Sequence, residues 1–169
     1  IDQNNAYLRQ NLLFGLSGAV LIIGLVMAVL FKNWKFLVIS IIPNVFPLVF
    51  GAAVMGVLQI SLDATTSMIF AISFGIAVDD TIHFLSKLRL ELAKSQNLES
   101  AIYHTTLETG RPIIVTSIIL FFGFLVMLFA KAPGMMYVGL LVSLTLFSAV
   151  FADLFLIPIL CRSILKKDY

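Results

Sequence analysis

Gly75-Ile76-Ala77-Val78-Asp79-Asp80-Thr81-Ile82-His83-Phe84 sets two consecutive aspartates inside an apolar run, Ala64 to Leu85, that is long enough to cross a bilayer. Placing one aspartate in hydrocarbon costs about 2.5 to 3.5 kcal/mol even on the lenient insertion scale, so two in succession call for a reason. A second carboxylate at ~5 Å adds about 3 kcal/mol of repulsion at an effective dielectric of 20. The pair therefore favours keeping at least one proton, which is the chemistry of a proton carrier: neutral towards one aqueous side, ionised towards the other. His83 lies one turn from Asp79 and three residues after Asp80, on a face from which it can relay or accept that proton. A histidine near the membrane interface is as often structural. The plainer reading of the acids ends the span near Val78 and leaves them at its solvated end; Ile82, Phe84 and Leu85 weigh against it.

Outward from this segment the whole chain reads as membrane protein. Of its 169 residues 60% are hydrophobic and 12% charged, with a mean hydropathy of +1.07, which a water-soluble domain of this size does not tolerate. Five stretches have spanning length: 12–31, 36–58, 64–85, 112–130 and 136–160. Residues 1–11 form a polar entry and 161–169 a tail. Between the third and fourth spans Leu98, Ala101, Ile102 and Leu107 fall roughly on one helical face, so an amphipathic helix at the membrane surface is expected over about 98–109. The expected fold is all-α: five transmembrane helices plus one cytoplasmic amphipathic helix.

Lys32, Lys35, Lys87, Arg89, Lys94, Arg111, Arg162, Lys166 and Lys167 fall on one side of the membrane, Arg9 and Lys131 on the other. The positive-inside rule then puts the C-terminus in the cytoplasm and the N-terminus outside. Five spans with an external N-terminus suit the second half of a longer protein. The net charge of +2 and the lack of a basic cluster exclude a nucleic-acid partner. Cys161 is the lone cysteine, so neither a disulfide nor a cysteine-based metal site is expected, and no cofactor is implied.

Pro43 and Pro47 in the second span each remove a backbone hydrogen bond and free a carbonyl one turn earlier. A hinge for alternating access and a static packing kink are both consistent with them. Gly15, Gly18, Gly24, Gly51 and Gly56 would allow close helix contact. Thr116 and Ser117 offer hydroxyls to a neighbouring carboxylate, although such groups usually bond their own backbone. Asp153 is the other intramembrane acid, and a structural ion pair with Arg111 is its expected role.

Taken together, these features resemble the C-terminal membrane half of the resistance-nodulation-division superfamily, in particular its MMPL-type exporters. The resemblance rests on Ile42-Pro43-Asn44, Leu62-Asp63-Ala64-Thr65-Thr66, Gly75 to Phe84, Gly110-Arg111-Pro112-Ile113-Ile114-Val115-Thr116-Ser117, and Asp153-Leu154 with Pro158. It implies half of a twelve-span bundle in a bacterial inner membrane, completed by an N-terminal half and periplasmic domains. It also implies proton-driven export of hydrophobic or lipidic substrates, Asp79, Asp80 and Thr116 matching the relay positions. Drug-efflux members carry acids in one half and a lysine in the other; the acids here without an intramembrane lysine resemble the lipid-exporting branch. An oligomer is compatible with all of this.

Two other classes share parts of the pattern. A sterol-sensing-like lipid sensor or scaffold has this architecture without turnover. An intramembrane aspartyl protease would need Asp79 or Asp80 to meet Asp153, because neighbours on one helix diverge by about 100°.

Overall fold

The computed structural model describes residues 2–60, 64–95 and 97–166, and all of their regular structure is helical. Five long antiparallel rods are formed. α1 covers Asp2–Phe31, α2 Trp34–Val57, α3 Ala64–Ser95 and α4 Leu98–Leu125, the last continued by a 3-10 turn over Val126–Phe129. The final rod is α5, Pro133–Phe151, a π segment, Ala152–Leu156, and α6, Ile157–Leu165. Leu62 and Asp63 of the third-span motif lie outside the described residues.

Short polar links turn the chain. Lys32, in the left-handed region at φ 49°, ends α1, and Asn33 starts α2 by accepting the Lys35 amide on its side chain at 2.9 Å. Asn97 does the same for α4, accepting the amides of Glu99 and Ser100. Among the described residues four rods have the length and apolarity to cross a membrane, and Val20–Phe31 of α1 adds a shorter apolar stretch. Leu21, Leu25, Val57, Phe122 and Phe129 are exposed along them, as lipid-facing side chains are. The chain is a multi-pass membrane protein.

α3 is the centre of the bundle, in contact with α1, α2, α4 and α5. One apolar cluster, around Met55, Ile69, Phe70, Leu141, Val142 and Leu146, fills the end at which α2 finishes and α3 begins. A larger one, including Phe31, Phe36, Phe84, Leu85, Leu88, Leu92, Leu98, Ala101 and Leu165, fills the opposite, charged end. Between them lies a polar belt in which the hydroxyls of Ser73 and Thr145 are 2.7 Å apart. Gly51 brings α2 against α5, since a Cβ there would stand 2.6 Å from Thr145 Cγ2; Gly18, Gly24 and Gly56 face open space instead.

The charged end departs from expectation. α3 does not stop near Leu85 but continues to Ser95, because Leu85, Leu88 and Leu92 form a buried stripe at helical spacing. Burial of such side chains contributes roughly 1.5 to 3 kcal/mol each, enough to order the extra turns. The expected surface helix at 98–109 is likewise the first part of α4, which runs through Pro112 without a break. Its buried face is Leu98, Ala101 and Thr105, turned to α3 and α6, whereas Leu107 is exposed. Residues before Leu12 already belong to α1, and the tail is helical to Leu165, with Cys161 and Leu165 buried.

Candidate functional site

α3 and α4 run antiparallel beside one another, and a cleft of about 610 Å³ opens between them. From α3 it is lined by Gly75, Ile76, Asp79, Asp80 and His83, and from α4 by Glu108, Thr109, Pro112, Ile113, Thr116 and Leu120. The spacing on α4 is that of a single helical face passing through Pro112.

Four residues expected from the sequence, Asp79, Asp80, His83 and Thr116, therefore share one cavity. Their burial differs from the expectation. The Asp79 side chain is 72% exposed, Asp80 is half-buried, and His83 Nε2 is 3.7 Å from Asp79 Oδ1 across one turn. The adjacent acids point in different directions because consecutive helical side chains diverge by about 100°. Thr116 is on the wall but directs its hydroxyl to its own helix, with the carbonyls of Pro112 at 3.0 Å and Ile113 at 3.1 Å in range.

Glu108 and Thr109 are cleft residues that the sequence reading missed. Ending a helix at 109 and starting a span at Pro112 hid the face they share with Thr116. Glu108 forms an ion pair with Lys87 of α3, which also pairs with Glu91 at 3.2 Å. Three acids thus line the cleft, and none of the lining residues is a lysine or arginine.

The fully buried acid is Asp153, with 1% of its surface exposed. The ion pair expected with Arg111 is not formed: Arg111 lies on an exposed face of α4, while the π segment turns Asp153 into the bundle towards α2 and α3. Its Oδ1 is 3.0 Å from Thr81 Oγ1, and its Oδ2 has no hydrogen-bond partner. The π turn has a local cause: Pro158 has no amide hydrogen for the Leu154 carbonyl, and the Ile157 amide bonds five residues back, to Ala152.

Pro43 and Pro47 are buried within an unbroken α2, and Asn44 between them donates its side-chain amide to the Ser40 carbonyl at 2.7 Å. Among the described residues no cluster of histidine, cysteine and acidic side chains is suited to hold a metal.

Antiparallel apolar rods around a central helix, with an acidic cleft on one flank, make this a multi-pass membrane domain. The chain belongs to the AcrB/AcrD/AcrF family, whose model matches residues 2–168, and so to the resistance-nodulation-division superfamily. It is also similar to the membrane protein MJ1562 of Methanocaldococcus jannaschii, with 25% identity over 136 residues, 80% of this chain. The chain spans 35% of the length of that relative.

Proposed function

We propose that this chain is the membrane half of a proton-motive-force-driven exporter of hydrophobic or lipidic substrates, a secondary transporter and not an enzyme. Asp79 and Asp80 bind and release the protons, and His83 passes them along the same face. The observation that supports this reading is the cleft itself: Asp79 and Asp80 line it together, and the lysine nearest to it, Lys87, is taken up by Glu108 and Glu91. Without a fixed cation beside Asp79 and Asp80, a proton is the natural neutralising partner as their surroundings become drier. Each proton that crosses contributes about 2.3 kcal/mol per 100 mV of membrane potential.

The remainder of the transporter, an N-terminal half with periplasmic domains, faces the open side of the cleft and selects the substrate. The charged end carrying Lys87, Arg89, Lys94 and Arg162 lies in the cytoplasm, in an inner membrane, and the N-terminus on the periplasmic side. Pro43 and Pro47 soften α2 for alternating access. The test is proton flux in vesicles carrying the full-length transporter under an imposed pH gradient. Asp79→Asn with Asp80→Asn should insert normally and abolish substrate-linked flux; undiminished flux would refute the relay. Lipid binding without any response to the gradient would favour a sterol-sensing-like sensor.

A further inference from the structure

The polar knot of Asn44, Thr81 and Asp153 contains more acceptors than donors. Thr81 Oγ1 is within hydrogen-bond distance of both Asp153 Oδ1, at 3.0 Å, and Asn44 Oδ1, at 3.3 Å. A hydroxyl has one hydrogen, so it satisfies one of them. Asn44 cannot turn its amide to help, because its nitrogen donates to the Ser40 carbonyl at 2.7 Å. Asp153 Oδ2 is left buried with no partner at all. Three helices therefore converge on a site that lacks one donor.

Among the described residues no cation supplies the missing charge. α5 carries no charged residue, and the single one of α2, Lys35, lies at the start of that helix, far along the chain from Asn44. On α6, Arg162 pairs with Glu99 at 2.6 Å, and Cys161 is a buried thiol. On α4, Glu108 pairs with Lys87 and Arg111 is exposed. From α3, Asp79, Asp80 and His83 line the cleft. An ionised Asp153 would meet one hydroxyl and, among the described residues, no counter-ion.

We infer that Asp153 is a second proton-binding site, distinct from the cleft acids, whose bound proton completes the hydrogen bonds among Asp153, Thr81 and Asn44. With the proton present, Asp153 Oδ1 donates to Thr81 Oγ1, and Thr81 donates to Asn44 Oδ1. When the proton leaves to water, the Thr81 hydrogen turns to the carboxylate and the bond to Asn44 is lost. Occupancy of Asp153 is thereby tied to the contact between α3 and the stretch of α2 that holds Pro43 and Pro47. This inference does not depend on Asp79 and Asp80 acting as a relay.

Infrared spectroscopy of the purified protein in lipid nanodiscs at neutral pH tests it. The carbonyl stretch of a protonated carboxyl should be present, with a component that vanishes in Asp153→Asn and persists in Asp80→Asn. Thr81→Val, which keeps the side-chain shape, should shift that band by removing its hydrogen-bond partner. It also serves as the deciding variant should Asp153→Asn fail to insert. Absence of the band from the native protein, its undiminished survival in a folded Asp153→Asn, or an unmoved band in Thr81→Val would overturn the inference. A band lost in Asp80→Asn and retained in Asp153→Asn would reassign the proton to the cleft. Normal Asp153 spectra together with unimpaired flux in the Asp79, Asp80 double variant would instead refute the relay alone.

Discussion

Lys87 of α3 and Glu108 of α4 form an ion pair at the cleft that holds Asp79 and Asp80. Both members have solvent access, so the pair adds little to stability, and its consequence is the spacing of the two helices at that point. Lys87→Gln should let the cleft widen. A membrane-impermeant thiol reagent is then expected to label Thr109→Cys several-fold faster in the variant than in the native background, and high salt should produce part of that increase by screening. Cys161 is buried and does not confound the labelling. Equal rates in both backgrounds would mean that the pair does not restrain the cleft.

Gly51 carries a packing role that Gly18, Gly24 and Gly56 lack. Ala in its place would meet Thr145 Cγ2 at 2.6 Å, and Thr145 is held by hydrogen bonds to the Leu141 carbonyl and Ser73. Its rotation away is therefore costly. Gly51→Ala should destabilise the protein by about 1 to 3 kcal/mol, the range for overpacking a filled site. Gly24→Ala, with open space around it, should be neutral or stabilising by up to about 1 kcal/mol. Thermal unfolding of the two variants in the same detergent compares them, and similar melting temperatures would refute the distinction.

The rods were legible because hydrophobic length is a local property: 36–58 and 64–85 can be marked without knowing what they touch. What the chain does beyond the bilayer was less legible. Lys87, Arg89, Glu91 and Lys94 look like a solvated connection, and the stripe of Leu85, Leu88 and Leu92 among them declares itself only with α4 and α6 packed on it. Asp79 and Asp80 were recognisable as costly acids, but the rotation that exposes one and half-buries the other depends on neighbouring helices. Asp153 was misassigned for a related reason. Charge suggested Arg111 as its partner, whereas the π turn, set by Pro158, rotates the carboxyl towards a hydroxyl and an amide.

Pro158 holds that turn by withholding an amide hydrogen from the Leu154 carbonyl. Pro158→Ala restores the donor and should let residues 152–156 relax into an ordinary α-helix, turning Asp153 away from Thr81. Hydrogen exchange of amides 153–157 is expected to slow in the variant, as the regular ladder forms. The protein should remain folded. Unchanged exchange would show that packing against α2 and α3 sets the turn, independently of the proline.

Asp79 and Asp80 should not be equivalent under mutation. Asp79 is 72% exposed and meets His83 at 3.7 Å on the cleft surface. Asp80 is half-buried, so it is the one of the two that the neighbouring helices enclose. In the full-length transporter, Asp80→Asn is therefore expected to abolish proton-coupled flux. Asp79→Asn, which leaves the half-buried acid in place, should slow it, and His83→Gln should slow it as well by removing the group that passes the proton on. Flux measured in vesicles over a series of imposed pH gradients separates a lower rate from lost coupling. A functional Asp80→Asn beside an inactive Asp79→Asn would reverse the assignment, making the exposed acid the carrier and the half-buried one its support.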